Sequence, residues 1–137
     1  MYTPQRTAKA IVIVDDDPED IDLLREAIIE VDNSAACFGY SDPEEAIENM
    51  VNNLIVLPTH IFLDINMPKL TGDKCLKKIK QHSAFNDAVV TILSTSMMVE
   101  DSEKFKKLGA DFTFAKPMSM SDYQKIIEQV FRVTPNY

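Results

Sequence analysis

Short aliphatic runs, each closed by an acid, a hydroxyl or a lysine, recur along this chain with amphipathic stretches between them. That alternation constrains the fold more than any other feature. A buried run, a helix and another buried run make a crossover unit, and crossovers build parallel sheets with helices on both faces. The first run is AIVIV at 10–14, ending in Asp15-Asp16-Asp17. Pro18 then stands at the first helical position, with Asp17 as N-cap and Asp20 at the third, and Ile21, Leu24, Ile28 and Val31 follow at helical spacing. A weaker strand is expected at 35–40. Asp42-Pro43 opens a second helix in the same way and carries Ala46, Ile47 and Met50. HIFLD at 60–64 is a third strand, followed by a Pro68- and Gly72-containing loop and a helix through Cys75, Leu76 and Ile79. The pattern continues with a strand at 88–93, a helix at 102–108 stopped by Gly109, a strand at 111–115 and a helix at 121–132. Gly109 fits the left-handed position just past a helix end. Five strands alternating with five helices predict an open, doubly wound α/β sheet.

The 137 residues, 45% hydrophobic, suit one domain that builds its own core, with 9–132 as the essential part. No apolar run reaches about 18 residues, the length a membrane span requires. The first residues lack the order of a secretory signal, so a cytoplasmic protein is expected. A net charge of −8 disfavours sequence-independent binding to nucleic acid, which needs a basic face to displace counterions. Cys37 and Cys75 lack metal-ligand spacing and read as reduced, core-associated thiols.

In sheets of this kind ligands bind beyond the carboxyl ends of the strands. The first strand places Asp15, Asp16 and Asp17 there, the third Asp64, the fourth Ser94 and Thr95, and the fifth Lys116. An acid after a strand is commonly only a cap, and one lysine only a solvated charge; the weight lies in their joint arrangement. Clustered carboxylates repel unless a counterion joins them, and a hard divalent cation answers that need. Asp16, Asp64 and the backbone carbonyl of Asn66 are placed to offer oxygens to Mg²⁺ or Mn²⁺. Lys116 and Ser94 are then placed to neutralise a transferring phosphoryl group, with Asp64 as nucleophile.

These segments resemble the receiver domain of two-component response regulators over nearly the whole chain. IVIVDDDPED matches the first strand and acid pair, with Asp15 and Asp16 in the pair positions. IFLDINMPKLTG matches the phosphoacceptor segment around Asp64, TILSTS places Ser94 at the Ser/Thr position, and FAKP places Lys116 at the lysine. The intervals, 94 − 64 = 30 and 116 − 94 = 22 residues, suit the family as well. The resemblance implies a flavodoxin-like strand order, 2-1-3-4-5. It implies Mg²⁺-dependent transfer from a histidine kinase or histidine phosphotransfer protein to Asp64, and a downstream protein target that reads the change. It implies a regulator and not a turnover enzyme, monomeric or weakly dimeric. The sequence carries no output domain after residue 132, and a chain that is whole as it stands is expected to be a stand-alone receiver.

One position departs from the family pattern. Thr113 stands three residues before Lys116, where the family usually carries an aromatic switch residue, and strand alternation sends Phe112 and Phe114 to the other face. The conformational change is therefore expected to run through Ser94 and the loop at 95–100, without a rotating ring at 113. The resemblance also implies that Asn66 and Ser96, two residues past Asp64 and Ser94, border the water that would remove the phosphate, with Thr95 beside them in sequence. The stretch 47–59 is long for a helix and a loop and reads as a partner-specific surface. His60 and His82 read as packing and helix-end residues, leaving the phosphodonor histidine to another protein. A dehalogenase-like phosphatase would want an acid where Asn66 stands, and a flavin binder would want a glycine-rich loop in place of three acids.

Overall fold

A computed structural model of the chain describes residues 9–52, 57–95 and 98–133. The elements follow the predicted alternation: β1 Ala10–Val14, α1 Pro18–Val31, β2 Ala36–Tyr40, α2 Pro43–Val51, β3 His60–Asp64, α3 Gly72–Lys80, β4 Val89–Ser94, α4 Val99–Lys107, β5 Phe112–Ala115 and α5 Met120–Phe131. A short 3₁₀ turn, Ser83–Phe85, precedes β4 and inserts Phe85 into the core. The five strands pair in parallel in the order β2-β1-β3-β4-β5.

Every residue of β1, β3 and β4 is buried, as expected of central strands covered on both sides. The sheet divides the interior into two packed layers. Ala46, Met50, Cys75, Leu76, Ile79 and Phe105 from α2, α3 and α4 meet Val12, Ile61, Leu63, Val90 and Ile92 on one face. Ile21, Leu24, Ile28, Tyr123, Ile127 and Val130 from α1 and α5 meet Ile11, Ile13, Phe62, Val89 and Leu93 on the other. Each fully buried aliphatic side chain contributes about 1.5–3 kcal/mol by leaving water.

The helix ends are built as the sequence suggests in most cases. Asp17 accepts from the Glu19 N–H at 3.0 Å, and Asp42 from the Glu44 N–H at 3.0 Å. Gly109 has φ of 108°, just past α4. Gly72 is required for a different reason. A Cβ there would lie 2.6 Å from the Ile65 Cα, so α3 can start close over the β3 loop only without a side chain.

Some boundaries differ from expectation. α4 starts at Val99, three residues before 102, because the Asp101 carboxylate accepts from the Met98 N–H at 3.3 Å and caps an earlier turn. α5 starts at Met120, capped by Ser119, whose hydroxyl accepts from the Asp122 N–H at 3.2 Å. Asp111 lies outside β5 and turns its carboxylate to the Val90 N–H at 2.8 Å. In the stretch 47–59, α2 ends at Val51, and 53–56 fall outside the described residues. Both cysteines are free, Cys75 buried and Cys37 half-buried. No helix among the described residues is long and apolar enough to cross a membrane.

Candidate functional site

Because all five strands run the same way, their carboxyl ends share one edge, and the predicted groups meet there. Ligand oxygens of Asp15, Asp16 and Asp64 lie within 4.8 Å of one another. Asp15 and Asp64 are buried and Asp16 is exposed. Asp15 immediately follows β1, and its side chain accepts from the Asp17 N–H at 3.0 Å, which fixes the turn into α1. Asp64 ends β3 and accepts from the Asn66 N–H at 3.3 Å, a local turn that holds the loop against the carboxylate.

Lys116 closes the cluster from β5. Its backbone N–H donates to the Ser94 carbonyl at 2.6 Å, tying the ends of β4 and β5 together. Its ammonium lies 2.8 Å from Asp15 Oδ2, 2.8 Å from Asp20 Oδ2 and 3.8 Å from Asp64 Oδ1. Three carboxylates therefore surround one half-buried ammonium. Burial pushes the Asp64 carboxyl up to about 6, helped by the neighbouring Asp15 charge and opposed by Lys116. Burial also raises Asp15, against its hydrogen bond from Lys116. Burial works against the Lys116 charge, yet its bonds to Asp15 and Asp20 outweigh that and hold its pKa above the usual lysine value. Tyr123, buried on α5, is raised by burial and by the nearby Asp20 charge.

Ser94 ends β4 fully buried. The Asn66 amide donates to Ser94 Oγ at 3.3 Å and to Thr95 Oγ1 at 3.5 Å, so three of the predicted residues form a chain beside Asp64. Thr113 does not join them. It faces α4, where its hydroxyl and that of Ser102 lie 2.6 Å apart. Phe112 and Phe114 stack with their centroids 5.8 Å apart and pack on the α1–α5 layer, as strand alternation requires. Ser96 lies outside the described residues. His60 is buried against Phe131 at 4.9 Å, and His82 caps the 3₁₀ turn beside Phe85.

Asp20 is the group that sequence reasoning misplaced. Its position three residues past Asp17 suggested a bond back to the helix end, but its carboxylate instead pairs with Lys116 across 96 residues of sequence. The available signal was that an acid in the first turn of α1 lies beside the strand ends.

The donor set fits a hard divalent cation. Three carboxylates converge from the ends of β1 and β3, all are oxygen donors, and among the described residues the one ammonium that pairs with them leaves excess negative charge.

A family model describing the response regulator receiver domain matches residues 11–128. Stress response regulator protein 1 of Scheffersomyces stipitis is 26% identical over 129 residues, covering 91% of this chain and 42% of the relative. Two-component response regulator ARR9 of Arabidopsis thaliana is 34% identical over 86 residues, covering 63% of this chain and 37% of that protein. The chain thus spans about two fifths of the length of these curated relatives. Among solved structures, the phosphorylated cyanobacterial phytochrome response regulator RcpA superposes with a TM-score of 0.84 at 24% identity, covering 96% of this chain and all of that one. With the order 2-1-3-4-5, the acid pair, Asp64 and Lys116 on one sheet edge and a family match over most of the sequence, the chain belongs to the response regulator receiver domain family.

Proposed function

We propose that this chain is a single receiver domain acting as a phosphorylation switch, with Asp64 as acceptor. The observation that carries this reading is the placement of the buried Asp64 carboxylate, 3.8 Å from the Lys116 ammonium and clustered with Asp15 and Asp16. The donor is a phosphohistidine on a histidine kinase or histidine phosphotransfer protein. An Asp64 oxygen forms a bond to phosphorus as the P–N bond breaks. The electron pair returns to the imidazole nitrogen, which takes up a proton. In hydrolysis a water oxygen bonds to phosphorus, the P–O bond to Asp64 breaks, and inorganic phosphate leaves with one proton passing to solvent.

Asp15, Asp16, Asp64 and the Asn66 carbonyl would hold Mg²⁺ or Mn²⁺, which when bound supplies positive charge against the phosphoryl oxygens. Lys116 balances the remaining charge, and the Ser94 hydroxyl donates to a phosphoryl oxygen. Reaching that oxygen, Ser94 loosens its bond from the Asn66 amide, which also holds Thr95. The change therefore runs from Ser94 to Thr95 and on toward the start of α4, with Thr113 outside the moving chain. Thr95 borders the path of the hydrolytic water. The altered surface is read by a downstream protein, so the chain regulates in the cytoplasm as a monomer or weak dimer and contacts no nucleic acid directly.

Incubation with acetyl phosphate and Mg²⁺ tests the acceptor. The expected result is a mass gain of one phosphate in the wild type and none in Asp64→Asn. A wild type that gains nothing is instead a partner-binding module without phosphotransfer.

A further inference from the structure

We infer that Asp20 is a positioning residue that holds Lys116 back from Asp64, and thereby weakens the site's grip on a phosphoryl group. The inference rests on Asp64 being the acceptor. Lys116 serves its carboxylates unequally, at 2.8 Å from Asp15 and Asp20 but 3.8 Å from Asp64. An ammonium has three N–H donors, and two are already given to Asp15 and Asp20. The side chains of Lys116 and Asp20 are 10% and 27% exposed, so water and salt screen their attraction only partly.

Asp20 is not needed to start α1, because Asp17 and Pro18 already do so. Nor does it have an alternative ion partner among the described residues, whereas Asp15 also belongs to the candidate cation cluster. A phosphoryl group on Asp64 adds up to two negative charges to a side chain whose Oδ1 already lies 3.8 Å from the ammonium. The third N–H of Lys116 is open to that group, but closing the 3.8 Å gap draws the ammonium away from its two short partners. Asp20, approaching from the helix, is the bond that opposes the move. Neutralising Asp20 leaves Lys116 free to lean on Asp64.

The test compares wild type, Asp20→Asn, Asp20→Glu and Asp22→Asn in the presence of Mg²⁺. Asp22 is 76% exposed and pairs with Arg25 at 3.7 Å, so its variant removes the same charge from the same helix without touching Lys116. Beryllofluoride, a mimic of the phosphoryl group, is titrated while the amide resonances of Ser94 and Thr95 are followed, and the thermal midpoint is measured alongside. Asp20→Asn is expected to bind the mimic about tenfold more tightly, the loss of one half-buried competing charge. Asp20→Glu keeps the charge and stays within about threefold of wild type, as does Asp22→Asn. Equal or weaker binding by Asp20→Asn overturns the inference, whatever happens to its thermal midpoint. Tenfold tightening in Asp22→Asn overturns it too, because net charge alone would then suffice. A wild type that takes up neither beryllofluoride nor phosphate overturns the acceptor reading itself, and this inference with it.

Discussion

Gly72 offers a direct test of how closely packing and chemistry are joined in this chain. Alanine at that position would put its Cβ 2.6 Å from Ile65 Cα, 2.9 Å from Ile65 Cγ2 and 3.0 Å from Ile65 Cβ. Ordinary carbon contacts begin near about 3.5 Å, so the start of α3 and the β3 loop must part by about 0.9 Å. The nearest atom is backbone, which no rotamer change relieves. Overpacking of this kind costs roughly 1–3 kcal/mol, and the better helix propensity of alanine returns at most about 1 kcal/mol. Taking the middle of both ranges, a net loss of about 1–2 kcal/mol in a chain of 137 residues lowers the thermal midpoint by roughly 3–7 °C. The displaced loop also carries Asn66, whose N–H bonds to Asp64 and whose amide reaches Ser94. Gly72→Ala should therefore slow phosphorylation by acetyl phosphate about tenfold even at temperatures where the variant is fully folded, as expected when a reacting group is misplaced by an ångström. Circular dichroism melts and intact-mass time courses read the two effects separately. An unchanged or raised midpoint together with a wild-type phosphorylation rate would refute the packing argument.

Two further perturbations probe groups away from Asp64, one buried and one half-buried. Burial, with Lys9 nearby, pushes the His60 imidazole down to about 4, so the folded state resists a proton that the unfolded chain takes up near pH 6.5. The unfolded state then binds more protons between pH 6.5 and 4, and stability must fall as pH falls through that window, by at most about 3 kcal/mol. His60→Leu should flatten that slope in denaturant titrations; an identical slope in the variant would show that other groups cause it. The hydroxyls of Ser102 and Thr113, 2.6 Å apart, join α4 to β5. A double-mutant cycle of Ser102→Ala and Thr113→Val should return a coupling of about 1 kcal/mol in unfolding free energy. Coupling near zero would contradict a bond that steadies α4.

Most of the candidate site was legible because a parallel sheet turns strand ends into neighbours. The Asp15-Asp16 pair, Asp64, Ser94 and Lys116 are far apart in sequence, yet each closes a strand run, and that places them on one edge. Asp17, Asp42 and Gly109 were legible for a local reason, since caps and left-handed positions depend on a few adjacent residues. Asp20 was not, because its choice between a nearby backbone N–H and Lys116 is made by tertiary geometry. The bond between Thr113 and Ser102 escaped for the same reason: alternation told which face Thr113 takes but not which hydroxyl waits there. The early start of α4 was hidden because Met98 is no ordinary cap; the turn depends on Asp101 reaching back to the Met98 N–H.

The sheet that separates the two packed layers also separates the effects of altering them. Side chains on opposite faces of β1, β3 and β4 share backbone but few neighbours. Free energies of substitutions on the two sides, Ile79 with Ile127 for instance, should then nearly sum, as they do for sites without common partners. An engineer can therefore treat the molecule as two half-proteins sharing a wall. The α2–α3–α4 side can be redesigned for new recognition while the α1–α5 side is left as the stabilising ballast.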